Sequence, residues 1–267
     1  MYGLSLQARS ELRDSSALVE GVKRGDVRCV ARLISLLEKH DQEGVSLLHS
    51  LASGSHHAEV VGITGYPGAG KSTVIDRLVT AYRRLGMKVG VLAVDMSSPL
   101  TGGALLGDRI RMQEHTLDGG VYIRSMATRG QQGGLAQATG DAALVLEAAG
   151  YDVILIETVG VGQSEVDVVN LAHTVVAVVA PGLGDEVQAM KAGLLEVAHI
   201  IVVNKGDLPG ADATLRDLRA WFPTVLRTVA MIGEGMSELI AAIAEHQRLR
   251  DLHGSPVSPL GRKEAAL

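Results

Sequence analysis

The sequence predicts an α/β fold, a mainly parallel sheet covered by helices on both faces, and three observations carry that prediction. From residue 58 onward short apolar runs alternate with amphipathic stretches, the pattern of successive βαβ units. Apolar residues make up 46% of the 267-residue chain but aromatics only 3%. The core is therefore built from Val, Leu, Ile and Ala, which suits strands buried on both faces. The third observation is the glycine-rich turn Gly65-Tyr66-Pro67-Gly68-Ala69-Gly70-Lys71-Ser72, set between the first apolar run and the first amphipathic one. It matches G-x-x-x-x-G-K-[ST] in full, which makes the fold a P-loop NTPase and the chain a binder of nucleoside triphosphate.

In chain order, residues 1–57 read as a helical N-terminal extension. Leu18, Val22, Val27, Val30, Leu33, Ile34 and Leu37 form its apolar face, and breaks at Gly21 and Gly25-Asp26 divide it into two or three short helices. Ser53-Gly54-Ser55-His56-His57 is the expected hinge. The paired histidines invite a metal reading, but no Cys or carboxylate cluster stands beside them and a solvated linker fits better. Residues 58–252 form the expected G domain. Strands are expected at 58–64, 88–94, 121–125, 152–157, 174–180, 199–204 and 224–230. Helices are expected at 71–85, 103–116, 134–149, 163–171, 185–197, 211–221 and 236–250. The tail, 253–267, carries prolines and glycine or serine breaks and is expected to be disordered.

Composition removes several function classes. A net charge of −5 without a Lys/Arg block leaves no footprint for nucleic acid or an anionic membrane. No apolar run approaches the length of a membrane span, and the N-terminus lacks a basic-then-apolar signal pattern. The sole cysteine, Cys29, excludes an intrachain disulfide and a Cys-based zinc cluster. A cytoplasmic protein is expected, binding neither nucleic acid nor membrane.

The loop from Gly65 through Pro67, Gly68, Ala69 and Gly70 offers backbone N–H groups to phosphate, and the helix opened by Lys71, Ser72 and Thr73 adds its positive N-terminal end. Lys71 reaches the β/γ-phosphates, and the Ser72 hydroxyl is a Mg²⁺ ligand. Asp95 and Glu157 each close an apolar strand run, and in open α/β sheets ligands sit beyond the carboxyl ends of the strands. Magnesium takes oxygen ligands, so both acids are expected at the metal, and Asp108 at the start of the next helix offers a third. Gly160 lets a backbone N–H approach the γ-phosphate. Gln163 either orients an attacking water or is a polar residue near a helix start. Asn204-Lys205-Gly206-Asp207, at a strand end downstream of the phosphate loop, points to guanine. Asp207 accepts from N1–H and N2–H₂, the Lys205 stem lies along the ring, and Asn204 braces the loop. Ala230 offers a backbone N–H to guanine O6. GTP and GDP are the expected ligands.

The runs Gly65–Thr73, Val91–Asp95, Ser97-Ser98-Pro99, Thr101-Gly102-Gly103, Leu106-Gly107-Asp108-Arg109 and Arg129-Gly130 with Gly133-Gly134 carry a family likeness, above all with Glu157-Thr158-Val159-Gly160-Val161-Gly162-Gln163-Ser164-Glu165. Across roughly residues 58–250 the chain resembles the methylmalonyl-CoA mutase-associated GTPases of the MeaB/ArgK type. The resemblance implies a metal-dependent GTPase that chaperones an adenosylcobalamin-dependent acyl-CoA mutase, gates cofactor delivery, and protects or reactivates the mutase. A cobalamin adenosyltransferase is a further implied partner. The resemblance places Lys71, Ser72, Asp95, Asp108 and Glu157 at phosphate and Mg²⁺ positions, and Asn204, Lys205 and Asp207 at the guanine. Gly182–Lys191 resembles the family's segment that relays nucleotide state, which makes Lys191 a candidate catalytic cation, its other reading being an exposed helix lysine. Met96 stands where the family usually has proline, Tyr66 where a small apolar residue is common, and Gly206 where alanine is usual. None of these removes a ligand atom. Longer members carry a dimerising arm after the last domain helix. Only residues 253–267 follow here, so a homodimer is expected to use the G domain if it forms. Two other functions fit a P-loop: a nickel-insertion GTPase, which needs Cys/His ligands, and an ATP-dependent small-molecule kinase, which Asn204–Asp207 argues against.

Overall fold

The computed structural model describes residues 6–51, 56–95, 113–115, 117–127, 134–158, 171–182 and 197–252. Seven strands form one sheet: β1 (Glu59–Gly65), β2 (Val89–Asp95), β3 (Val121–Ala127), β4 (Val153–Glu157), β5 (Thr174–Val179), β6 (Ile200–Val203) and β7 (Val225–Arg227). Their order is β3-β2-β4-β1-β5-β6-β7, and every pairing is parallel. Each expected strand is present within a few residues. Strands β1, β4, β5 and β6 are buried along their whole length, so the apolar runs do not alternate.

The described helices are α1 (Leu6–Lys23), α2 (Val27–Glu38), α3 (Gln42–Leu51), α4 (Lys71–Arg84), α5 (Gly134–Ala148), α6 (Ala211–Arg219) and α7 (Met236–Leu252). Helices α4 and α7 cover one face of the sheet, where Val74, Ile75, Leu78, Leu239 and Ile243 meet Val61, Ile63 and Val176. Helix α5 covers the other face, backed by α1–α3, and α6 extends that layer over β5–β7. The N-terminal helices share this core: Val30, Leu33, Ile34 and Leu37 of α2 pack in one cluster with Leu146 of α5 and Ile154 of β4. Spacings of three and four put those residues on one helical stripe. Asp26 starts α2 by accepting from the amides of Arg28 and Cys29.

Gly21 does not break α1 as its residue type suggests. It lies inside the helix because a side chain there would collide with the Cys29 sulfur of α2; the glycine is a contact point between helices. The break falls at Gly25-Asp26, where Gly25 has φ 75°. The edge strand β3 is tied to α2 by Arg124. Its guanidinium meets Glu38 Oε2 at 2.6 Å and Oε1 at 3.3 Å, and bonds Ser35 Oγ at 2.9 Å.

At the opposite end of the strands from the phosphate loop, Glu59 fastens α7 to the sheet. Arg250 Nη2 lies 3.1 Å from Glu59 Oε2, and the Thr174 hydroxyl donates to Oε1 at 2.9 Å. His246 Nδ1 stands 3.0 Å from that hydroxyl, and its ring lies 4.2 Å from the ring of His199. Burial raises the Glu59 carboxyl pKa, but His173, Arg250 and Thr174 outweigh it and the net displacement is downward.

The helices expected at 103–116, 163–171 and 185–197 fall largely outside the described residues, apart from a 3-10 turn at Gln113–His115. The middle of the hinge, 53–55, and the tail, 253–267, also lie outside them. Among the described residues no helix is long and apolar enough to cross a membrane.

Candidate functional site

Strand β1 leaves the sheet at Gly65, whose φ of 139° and close approach to the Val178 carbonyl of β5 admit no side chain. The turn closes with the Ala69 amide donating to Tyr66 O at 3.2 Å, and α4 starts at Lys71. The N-terminal amides of α4, beyond the reach of helical acceptors, make that end a seat for anions. Lys71 is buried and its Nζ donates to Gly65 O at 2.7 Å and Tyr66 O at 3.2 Å. The loop carbonyls thus hold the cation inside the turn. Pro67 and Gly68 form its exposed crest, and Thr73 is half-buried on α4.

Beside the loop, Ser72 Oγ donates to Glu157 Oε1 at 2.7 Å. Glu157 closes β4 and is paired in register with Ile63 of β1, which brings the carboxylate next to the first turn of α4. Asp95 closes β2 on the far side of β4 at the same end of the sheet. The Asp95 side chain, Asp108, Gly160, Gln163 and Lys191 lie outside the described residues. Ser72 and Glu157 bring a hydroxyl and a carboxylate oxygen together, the donor chemistry that a hard cation such as Mg²⁺ takes.

Asn204 joins the phosphate loop to the guanine side. It is buried at the end of β6; its Nδ2 donates to Ala69 O at 2.9 Å, and its Oδ1 accepts from Thr228 Oγ1 at 3.2 Å and the Ala230 amide at 3.1 Å. Gly70 is glycine for the same reason, since a side chain there would strike Asn204 Nδ2. Lys205 takes the left-handed conformation, φ 56°, and turns the chain so that Lys205 and Asp207 face solvent. The glycine at 206 has a local cause: a Cβ would lie 2.6 Å from Arg227 Cγ and 3.1 Å from Thr228 O.

Ala230 departs from the expectation that its N–H stands open for guanine O6. In this structure it is engaged by Asn204 Oδ1, so a base must share or replace that acceptor. No motif marks Arg77, yet its guanidinium bonds the carbonyls of Ala230 and Met231 at 3.1 Å each. An arginine inside an amphipathic helix has no distinguishing pattern in the sequence. The histidine pair is not gathered into a metal cluster among the described residues. His56 Nε2 lies 2.9 Å from Tyr151 O, and His57 Nδ1 3.5 Å from Glu147.

The anion seat with its buried lysine, the carboxylate–hydroxyl pair and the Asn-Lys-x-Asp turn stand side by side beyond the same ends of the strands. The family model for the methylmalonyl-CoA mutase-associated GTPase MeaB matches residues 30–258. The chain belongs to the MeaB family. As a MeaB family member it is a GTPase and binds guanine nucleotide. A Pyrococcus abyssi protein named as a GTPase is 52% identical over 250 residues, covering 89% of this chain and 77% of its own length. The mouse protein named methylmalonic aciduria type A homolog, mitochondrial, is 37% identical, with 89% of this chain and 64% of the mouse protein covered. The solved structure titled LAO/AO transport system kinase superposes with a TM-score of 0.69 at 28% identity, covering 93% of this chain and 78% of its own.

Proposed function

We propose that this MeaB-family GTPase is Mg²⁺-dependent and serves an adenosylcobalamin-dependent acyl-CoA mutase, methylmalonyl-CoA mutase or a relative, gating cofactor loading and protecting or reactivating the mutase. The observation that supports the nucleotide reading is Asn204, whose bonds to Ala69 and Ala230 make phosphate loop and base turn one continuous site. Family membership supports the partner. In this reading a cobalamin adenosyltransferase is a second partner, the setting is cytoplasmic, and self-association gives a homodimer.

The chain's own groups then divide the work. Loop amides and Lys71 hold the β/γ-phosphates, and Asp207 reads the N1–H and N2–H₂ of guanine. Ser72 and Glu157, with Asp95 and Asp108, would hold the metal. Magnesium, when bound, neutralises charge on the phosphate oxygens. Gln163 orients the attacking water. Lys191 is the cation that partner binding brings to the γ-phosphate, where such a charge is worth about 10³–10⁵ in rate.

One turnover assay with GTP or ATP, with and without the cognate mutase, tests the reading. Wild type should prefer GTP and accelerate with the mutase, and Lys191→Ala should lose most of the acceleration while keeping basal turnover. Asp207→Asn should lose GTP by about 30- to 1000-fold and gain XTP, because an amide donor then faces the xanthine O2 acceptor. Binding of ATP and GTP within a few-fold of each other would remove the guanine assignment. A wild type that no acyl-CoA mutase stimulates would remove the partner.

A further inference from the structure

The turn that carries Ala230 has little packing of its own. Ala230–Ile232 is a single 3-10 turn between β7 and α7, and only Ala230 is buried. Met231 and Ile232 are 74% and 75% exposed. The turn is closed by its own backbone, with Val229 N–H to Glu234 O and Gly233 N–H to Ala230 O at 3.1 Å each, and further polar ties reach it from two directions. From β6, Asn204 Oδ1 takes the Ala230 N–H at 3.1 Å. From α4, the Arg77 fork takes the carbonyls: Nε donates to Ala230 O and Nη2 to Met231 O, both at 3.1 Å.

A planar guanidinium bonded to two successive carbonyls fixes the two peptide planes that follow the Ala230 Cα, and so limits the rotation left to the Ala230 N–H on the other side of that atom. The fork is not diverted by its acidic neighbour. Asp76 comes no closer to Arg77 Nε than 4.0 Å, and its other carboxylate oxygen lies 3.1 Å from His115 Nε2. Arg77 stands on the helix whose first turn bears Lys71 and Ser72, so the two peptides that follow the Ala230 N–H are held by the element that faces the phosphates.

We infer that Arg77 is a positioning residue for base recognition: it aims the Ala230 N–H at guanine O6 and couples that aim to the phosphate helix. The inference rests on the guanine site proposed above. When the base arrives, the N–H is shared with or released from Asn204, and the carbonyl side of the residue stays anchored by Arg77. The contact affected is the one to O6; those of Asp207 to N1 and N2 are made from a different turn.

The test measures binding of GDP, IDP and 6-thio-GDP to the 267-residue chain by calorimetry, for wild type, Arg77→Ala and Arg77→Lys, with ADP as a fourth ligand for wild type. IDP keeps O6 and lacks the N2 amine, whereas 6-thio-GDP keeps N1–H and N2–H₂ but offers sulfur, a weak acceptor, in place of O6. Arg77→Ala should weaken GDP and IDP alike by about five- to tenfold, the scale of one hydrogen bond, and 6-thio-GDP by less than about twofold. Arg77→Lys, which reaches one carbonyl and preserves the charge, should show the same selective pattern at about two- to threefold. Equal loss for all three ligands in both variants would make Arg77 a merely structural residue and overturn the inference. No loss of GDP affinity would overturn it too. Failure of wild type to prefer GDP over ADP would instead overturn the guanine site itself, and the ADP arm separates that result from the others.

Discussion

Glu157 is 5% exposed, and its bond to Ser72 ties the end of β4 to the first turn of α4. A buried carboxylate at a phosphate site is electrostatically unfavourable unless a cation joins it. Glu157→Gln keeps an oxygen that accepts from Ser72 and removes the charge. It should leave GDP affinity without magnesium unchanged within a few-fold and abolish the gain in affinity that magnesium brings, read by calorimetry with and without the metal. An unchanged magnesium increment would take Glu157 out of the metal site. Lys71, Ser72, Glu157 and Asn204 are legible in the sequence because a fixed loop length and a strand end dictate where such residues stand. Ala230 is legible only as a position. The direction of its N–H depends on Asn204, 26 residues earlier, and Arg77 acts across 153 residues. Local pattern carries no information at that range.

Among the elements, β3 is the edge of the sheet, and α2 is held to it through Arg124, whose half-buried ion pair with Glu38 has side chains 14% and 12% exposed. Removing Glu38 leaves a half-buried guanidinium with only Ser35 Oγ and the Ala31 carbonyl as partners. Glu38→Ala should therefore cost about 1–3 kcal/mol in denaturant unfolding. The double change Arg124→Met with Glu38→Leu should cost much less, because no charge is then stranded. Equal losses in the two proteins would show that the pair contributes only packing. The strands are easy to anticipate, since a strand covered on both faces is apolar over nearly its whole length, as in Val153–Ile156 and Val175–Val179. Gly21 was misleading because a glycine in a helix reads as a break when its purpose is to admit Cys29. That purpose is set by a neighbouring helix.

For the molecule as a whole, acid sensitivity follows from the layer under the strands. Partial burial, then the charges of His246 and Arg250, push the His199 ring down to about 4 from 6.5, and His246 is lowered too, chiefly by burial. At these two histidines the folded chain binds fewer protons than the unfolded chain between about pH 4 and 6.5, so they make stability rise with pH across that window, against the opposite contribution of Glu147, whose carboxyl burial pushes up. Glu59, lowered in the fold, adds stability that is lost only as pH falls through its own still lower range. The midpoint of thermal unfolding should fall between pH 7 and 5, and His199→Gln should flatten that slope; an unaltered slope would assign the acid loss elsewhere. His199 keeps part of its surface in solvent, which moderates the size of the effect. The sheet order has a consequence for synthesis on the ribosome. Strand β1, which ends in the phosphate loop, lies between β4 and β5, and its first partner residue is Val153. At about 5–20 residues per second the nascent chain carries β1 with both hydrogen-bonding edges open for several seconds. Thr228 and Ala230 emerge later still. The growing polypeptide thus passes through a stage in which its phosphate-binding segment exists without sheet neighbours or a base site, and sticky strand edges make that stage the one most exposed to aggregation.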